Sequence, residues 1–148
     1  MKMFPLFIAL LIFTPVVTAE TIQEHDHAKA GGPKGGRLLE NTKPQAEFFL
    51  EKDRTASITF YDNEMKQVPA ENQLAAVIAE KDGIKIKFEL EKKGELLSSK
   101  DALPEGANLV VQFKQTPDSK PSNFRFALNE EICTECQRAE YACICGDE

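Results

Sequence analysis

The sequence has very little histidine. Only two of its 148 residues are histidines, His25 and His27, and both precede the part of the chain that is patterned like a folded domain. A nucleophilic Ser–His or Cys–His pair needs its histidine on a folded scaffold, so this kind of catalysis is excluded there. No glycine-rich loop leads from a strand into a helix, as phosphate-binding loops do. We therefore predict a protein that is not an enzyme.

The chain also lacks an excess of positive charge. It has 18 lysines and arginines against 24 aspartates and glutamates, which gives a formal net charge of −6 at pH 7. A protein that binds nucleic acid or an anionic membrane usually has a basic face or stripe, and none is evident here. We expect no nucleic-acid partner.

Long apolar runs are absent except at the amino terminus. Lys2 is followed by the apolar run Phe4–Phe13, then by Pro15, and the small residues of Val17–Ala19 suit a cleavage site. This order is typical of a secretory signal peptide. The run is shorter than the roughly 20 residues of a membrane-spanning helix. Residues 1–19 are therefore predicted to be a signal peptide, and the mature protein to be periplasmic or secreted, with no membrane anchor after cleavage.

The rest of the chain divides by composition. Residues 20–36 are polar and glycine-rich, which indicates a flexible leader. Residues 37–129 alternate between apolar and polar positions, most clearly over Ile84–Glu91, where Ile84, Ile86, Phe88 and Leu90 would share one half-buried face of a strand. Asp82-Gly83, just before this strand, is a strong signal for a type I′ hairpin turn.

This alternation predicts an all-β fold. About seven short strands, turn residues between them and no convincing amphipathic helix favour an antiparallel β-sandwich, immunoglobulin-like, over residues 37–129. A small barrel is the alternative architecture. Residues 130–148 depart from the pattern and are predicted to form a short C-terminal four-cysteine knuckle, separate from the sandwich.

Cysteine is absent from residues 37–129, and all four cysteines follow within thirteen residues: Cys133, Cys136, Cys143 and Cys145. Their spacing is C-x2-C-x6-C-x-C. Four thiolates can make a tetrahedral site for Zn²⁺, with Cu(I) as the softer alternative. A segment this short cannot bury a core, so a bound ion would have to supply its folding free energy.

Disulfides are the main alternative, because exported proteins meet oxidising conditions. Pairing within Cys143-Ile144-Cys145 would be strained, so crossed pairs with one cysteine from each half would be expected. Short closed loops stabilise less than long ones in the chain-entropy model, which favours the metal interpretation. A redox C-x-x-C motif is a third possibility, but it needs a strand–helix unit that an all-β chain does not provide.

The two histidines stand in Glu24-His25-Asp26-His27. In an extended segment residues i and i+2 point the same way, so His25 and His27, with nearby carboxylates, could share one metal ion. The alternative is a solvated leader with two free imidazoles.

The segment His25–Glu40, followed by Ala46–Leu50, resembles the start of adaptor subunits of heavy-metal efflux pumps of the resistance-nodulation-division type. The shared motif is Gly-Pro-x-Gly-Gly-Arg-Leu-Leu-Glu, here Gly32–Glu40. The same stretch with a small β-domain occurs in short exported proteins of unassigned role. The chain has no room for the helical hairpin and lipoyl-like parts of an adaptor, and Gln45 stands where relatives often have histidine. The resemblance implies a stand-alone exported domain concerned with metal ions.

Taken together, these patterns predict an exported, non-enzymatic metal-binding accessory protein, linked to heavy-metal ion handling or efflux. Its partners would be a metal ion and an exported or envelope protein. The alternative is a disulfide-stapled exported structural or interaction module with no metal role and no cofactor.

Overall fold

The computed structural model describes residues 31–145, which contain nine β-strands and one short 3₁₀ helix, Glu140–Ala142. The strands are β1 Arg37–Leu39, β2 Gln45–Leu50, β3 Thr55–Tyr61, β4 Gln67–Val68, β5 Leu74–Lys81, β6 Ile84–Lys93, β7 Leu96–Ala102, β8 Asn108–Lys114 and β9 Ser122–Ala127. All strand pairs are antiparallel. The predicted all-β antiparallel class is confirmed. Within residues 31–145 no helix is long and apolar enough to cross a membrane.

The strands form one continuous hydrogen-bonded sheet in the order β1-β2-β3-β7-β6-β5-β8-β9, with β4 beside β3. The sheet curls until its distant strands face each other. The rings of Phe60 on β3 and Phe113 on β8 lie 6.1 Å apart, and those of Phe48 on β2 and Phe126 on β9 lie 5.2 Å apart. A sandwich of two separate sheets is not confirmed. The shape is nearly that of a barrel, because β6 pairs with both β5 and β7 and so joins the two halves.

The hairpin between β5 and β6 turns where the sequence predicts. Asp82 and Gly83 have φ values of 52° and 77°, and Lys81 pairs with Ile84 across the turn. The apolar face predicted for β6 is buried only at the end of the strand away from the turn. Leu90 is 7 % exposed, whereas Ile84 is 64 % and Ile86 is 47 % exposed. Alternation shows which side faces the core, but the tip of this hairpin extends beyond the core.

The hydrophobic core lies inside the curled sheet. Its largest fully buried apolar side chains are Phe48, Ile58, Phe60, Val77, Leu103, Leu109, Val111 and Leu128. Tyr141 and Ala142, from the C-terminal cysteine segment, belong to the same cluster. Two residues of that segment therefore pack into the core that the strands enclose, and the division of the chain at residue 130 stays a prediction. A segment too short to bury its own apolar side chains buries them against the sheet.

The glycine motif at residues 32–36 forms a loop around the carboxylate of Glu47, which is completely buried. The amide of Gly36 donates to Oε1 at 2.6 Å, and the amide of Lys34 donates to Oε2 at 3.2 Å. The Tyr61 hydroxyl donates to Oε2 at 2.7 Å, and burial together with this carboxylate raises the pKa of Tyr61. A Cβ on Gly32 would lie 2.0 Å from Glu47 Cδ, so glycine is needed for the close approach.

Replacing Glu47 by glutamine is expected to destabilise the fold by about 1.5–3 kcal/mol, the contribution of hydrogen bonds to a charged group. The amide nitrogen of glutamine would face backbone or hydroxyl donors that need an acceptor. Urea unfolding followed by circular dichroism measures the loss. Glu91→Gln, at an exposed position of β6, should change stability by no more than about 0.5 kcal/mol. Equal effects of the two variants would contradict the role assigned to Glu47.

Candidate metal centre

The first two cysteines lie in a tight reversal of the chain after β9. Ile132 and Ala139 form an isolated antiparallel bridge. Inside it, the Cys133 amide donates to the Arg138 carbonyl at 2.8 Å, and the Gln137 amide donates to the Cys133 carbonyl at 3.0 Å. Gln137 has a φ of 57°, the left-handed conformation that closes the turn. The two residues between Cys133 and Cys136 therefore form a turn that brings both sulfurs to one side.

The 3₁₀ helix brings the other two cysteines back to the first pair. The amide of Glu140 donates to the Glu131 carbonyl at 2.8 Å, which ties the helix to the strand-like segment before the turn. The Cys143 amide donates to the Glu140 carbonyl at 3.1 Å and ends the helix. Cys143 and Cys145 follow at once, so the helix directs the C-x-C pair toward Cys133 and Cys136.

The four sulfurs converge on one point. The Sγ atoms of Cys133 and Cys145 are 3.8 Å apart, those of Cys136 and Cys143 are 3.7 Å apart, and all four lie within 4.8 Å of one another. A tetrahedral site with Zn–S bonds of about 2.3 Å requires sulfurs about 3.8 Å apart. A disulfide requires about 2.05 Å. The four cysteines are free thiols and are positioned to hold a metal ion.

The surroundings of the thiols favour a negative charge on Cys136 and oppose one on Cys143 and Cys145. The amides of Ile144 and Arg138 point at the sulfur of Cys136 and lower its pKa to about 6. The pKa of Cys145 is raised by its contact with Glu135, by burial and by the neighbouring thiols. The pKa of Cys143 is also raised: the Cys145 amide lowers it, but burial and the adjoining thiols outweigh that effect. A cation between the sulfurs would favour the ionised form of the thiols.

Tyr141 holds the cysteine segment in the gap between the two ends of the sheet. Its ring lies 5.8 Å from that of Phe48 on β2 and 6.3 Å from that of Phe126 on β9. The Leu50 amide donates to its hydroxyl oxygen at 3.1 Å, and burial raises the pKa of this phenol. Arg37 donates to the Tyr141 carbonyl at 3.3 Å while its guanidinium lies over the Phe126 ring. The two ends of the sheet thus position the backbone that carries the thiols.

Gly31 and the loop of residues 32–36 also contact the cysteine segment. Arg138 donates from Nη1 to the Gly32 carbonyl at 3.2 Å. A Cβ on Gly31 would lie 2.5 Å from that Nη1 and 2.8 Å from Cγ2 of Ile144, the residue between Cys143 and Cys145. The motif that carries the resemblance to efflux adaptors is therefore in direct contact with the cysteine segment.

The structure brings all four predicted cysteine ligands together, each partly exposed. His25 and His27, like the predicted signal peptide, lie outside the described residues, so their shared site stays a prediction. Sequence reasoning did not single out Tyr141, Arg37 or Arg138. Tyr141 carried a signal, since it is one of only two tyrosines and is an aromatic residue in a segment with no core of its own. No protein-family model, curated protein or solved structure matches the chain.

Proposed function

We propose that this chain is an exported, non-enzymatic metal-binding accessory protein that holds one Zn²⁺ ion on Cys133, Cys136, Cys143 and Cys145. The observation that carries the proposal is the arrangement of the four sulfurs, two of whose separations, 3.7 and 3.8 Å, match the edges of a zinc–thiolate tetrahedron. A bound ion would supply the positive charge that lets all four thiols ionise.

Zinc suits this donor set better than other common ions do. Tetrahedral sites of four sulfurs are typical of Zn²⁺ and of iron–sulfur centres, whereas Mg²⁺ and Ca²⁺ prefer oxygen ligands. Cu(I), which also prefers soft thiolates, is the alternative ion. Four protein ligands complete the tetrahedral coordination of zinc and leave no open position for a substrate. The donor set therefore supports a binding or structural role of the ion, without catalysis.

Two further features support a role in handling heavy-metal ions outside the cytoplasm. The signal-like residues 1–19 support export to the periplasm or medium. The motif Gly32–Glu40 resembles that of heavy-metal efflux adaptors, and its loop contacts the cysteine segment through Gly31 and Gly32. All four cysteines are partly exposed, so the ion would lie near the surface, where an exported or envelope partner could reach it.

The proposal is tested on protein purified from the exported fraction of its native host under anaerobic conditions. We expect an amino terminus at Glu20, one zinc per chain by elemental analysis, and four thiols that alkylate after chelation and unfolding. Copper instead of zinc in the purified protein would overturn the choice of ion.

The intact mass of the unfolded protein distinguishes a metal site from the remaining alternative, two disulfides. Two disulfides remove four hydrogens and leave no thiol to alkylate, whereas a metal site leaves the full mass of the reduced chain. Two intact disulfides without bound metal would overturn the metal site. The better interpretation would then be a disulfide-stapled structural or interaction module.

A further inference from the structure

Among residues 31–145, the outer half of β6 has a strand partner on one side only. Residues 84–90 of β6 pair with β5, from Ile84 opposite Lys81 to Leu90 opposite Ala75. On its other side β7 pairs only with residues 90–93. The opposite edge of β7 pairs with β3 at Leu97, Ser98 and Ala102. The hydroxyl oxygen of Ser99 accepts the Ala56 amide at the irregularity between these two strands. Residues 84–89 are therefore a free strand edge within the sheet.

Hydrogen-bond alternation shows which residues present their backbone along this edge. The residues that flank a two-residue hairpin turn bond to each other, and bonded and non-bonded pairs then alternate along the strands. Lys81 and Ile84 flank the turn at the start of β6, so the even-numbered residues of β6 bond to β5. Lys93 and Leu96 flank the next turn, which directs the odd-numbered residues toward the β7 side. On the free edge, the N–H and C=O groups that point outward belong to Lys85, Lys87 and Glu89.

We propose that two copies of this chain pair antiparallel through residues 85–89 of β6, related by a two-fold axis at Lys87. In this register Lys87 lies opposite Lys87 of the second copy, and Lys85 lies opposite Glu89 of the second copy. This is the one register in which Lys85, Lys87 and Glu89, whose backbone N–H and C=O groups point outward, all lie opposite residues of the second copy whose backbone groups also point outward. A shift by two residues in one direction would place Glu89 opposite the turn residue Gly83. A shift in the other direction would require Glu91, which already pairs with β7.

Side-chain chemistry along the edge is self-complementary in the same register. Lys85 and Glu89 of opposite charge would face each other twice, because two-fold symmetry repeats the contact. On the core side of the sheet, Ile86 would lie opposite Phe88 of the second copy. Ile86 is 47 % exposed in the single chain, and pairing would cover it. The Nζ atom of Lys87 lies 2.5 Å from Oε1 of Glu89 in its own chain. This ion pair offsets the repulsion between the two central lysines.

Sedimentation velocity of the mature chain, at concentrations from about 1 µM to about 1 mM, tests the pairing. We expect a reversible monomer–dimer equilibrium, since an edge this short buries less area than a permanent dimer does. Lys85→Glu or Glu89→Lys alone places like charges opposite each other twice, and each should weaken the dimer by about tenfold. The double variant Lys85→Glu/Glu89→Lys exchanges the two charges and should restore the dimer.

Lys92→Glu is the matched control, because it makes the same charge change in β6 where the strand is already paired with Leu97 of β7. It should leave the equilibrium unchanged. Backbone exchange adds a residue-level readout: the amides of Lys85, Lys87 and Glu89 should gain protection as concentration rises, and that of Ile86 should not. A monomer at every concentration, equal effects of Lys85→Glu and Lys92→Glu, or failure of the double variant to restore the dimer would each overturn the proposal.

Discussion

Replacing Cys136 by serine is expected to abolish stoichiometric metal binding and to lower the melting temperature of the metal-loaded protein. Cys136 is the thiol whose pKa the backbone lowers, and its sulfur lies 3.7 Å from that of Cys143 across the site. A metal ion on the four cysteines would bind only the folded segment, so at 1,000 times its Kd it would stabilise the fold by about 4 kcal/mol. Loss of that term corresponds to a fall in melting temperature on the order of 10 °C.

The measurement compares melting curves with and without a chelator, together with the metal content of each sample. In the wild-type chain the chelator should lower the melting temperature, and in Cys136→Ser it should have no further effect. Thr134→Ala is the control, since Thr134 lies exposed in the same turn and offers no ligand. A Cys136→Ser protein that keeps one equivalent of metal at wild-type affinity would contradict the four-sulfur site.

Truncating Phe48 to alanine is expected to cost about 3–5 kcal/mol of stability, as for other buried phenylalanines. Phe48 is completely buried, and its ring packs edge-on against Phe126 of β9 and Tyr141 of the cysteine segment. The cavity would therefore open where both ends of the curled sheet and the cysteine segment meet. We also expect metal affinity to fall, because Tyr141 positions the backbone that carries the thiols.

Denaturant unfolding of the metal-free chain isolates the packing effect, and a zinc competition assay on the folded variant measures the effect on affinity. Leu74→Ala provides the comparison, because Leu74 lies in β5 with 47 % of its surface exposed and should change stability by no more than about 0.5 kcal/mol. A similar cost for the two truncations would show that the core is not organised around Phe48.

Features that depend on a few neighbouring residues could be predicted from the sequence. Strand alternation over residues 84–90 reflects the two-residue period of a pleated strand, and Asp82-Gly83 reflects the positive φ values that a type I′ turn needs. The C-x2-C spacing of Cys133 and Cys136 likewise requires only one local turn. These predictions succeed because backbone geometry and short-range sterics decide them before any distant contact forms.

The convergence of all four cysteines depends partly on contacts between residues that are distant in the sequence. Their clustering within thirteen residues indicated one site, and the structure agrees. The sequence could not show that Tyr141 belongs to the core or that Arg37, about a hundred residues away, donates to the Tyr141 carbonyl. These contacts exist only once the sheet has curled and its two ends have come together.

By itself the sequence determined the all-β class, the hairpin and the group of four thiols. Only the tertiary structure decided that the strands form one curled sheet, that Ile84 and Ile86 lie beyond the core, and that Glu47 is buried. Alternation would place Glu47 on a solvent-facing side of β2, but the loop of residues 32–36 covers that side and supplies its hydrogen bonds. Whether a residue is buried depends on what packs over it. Glu47 is covered by a loop, and the residues of β2 do not determine the path of that loop.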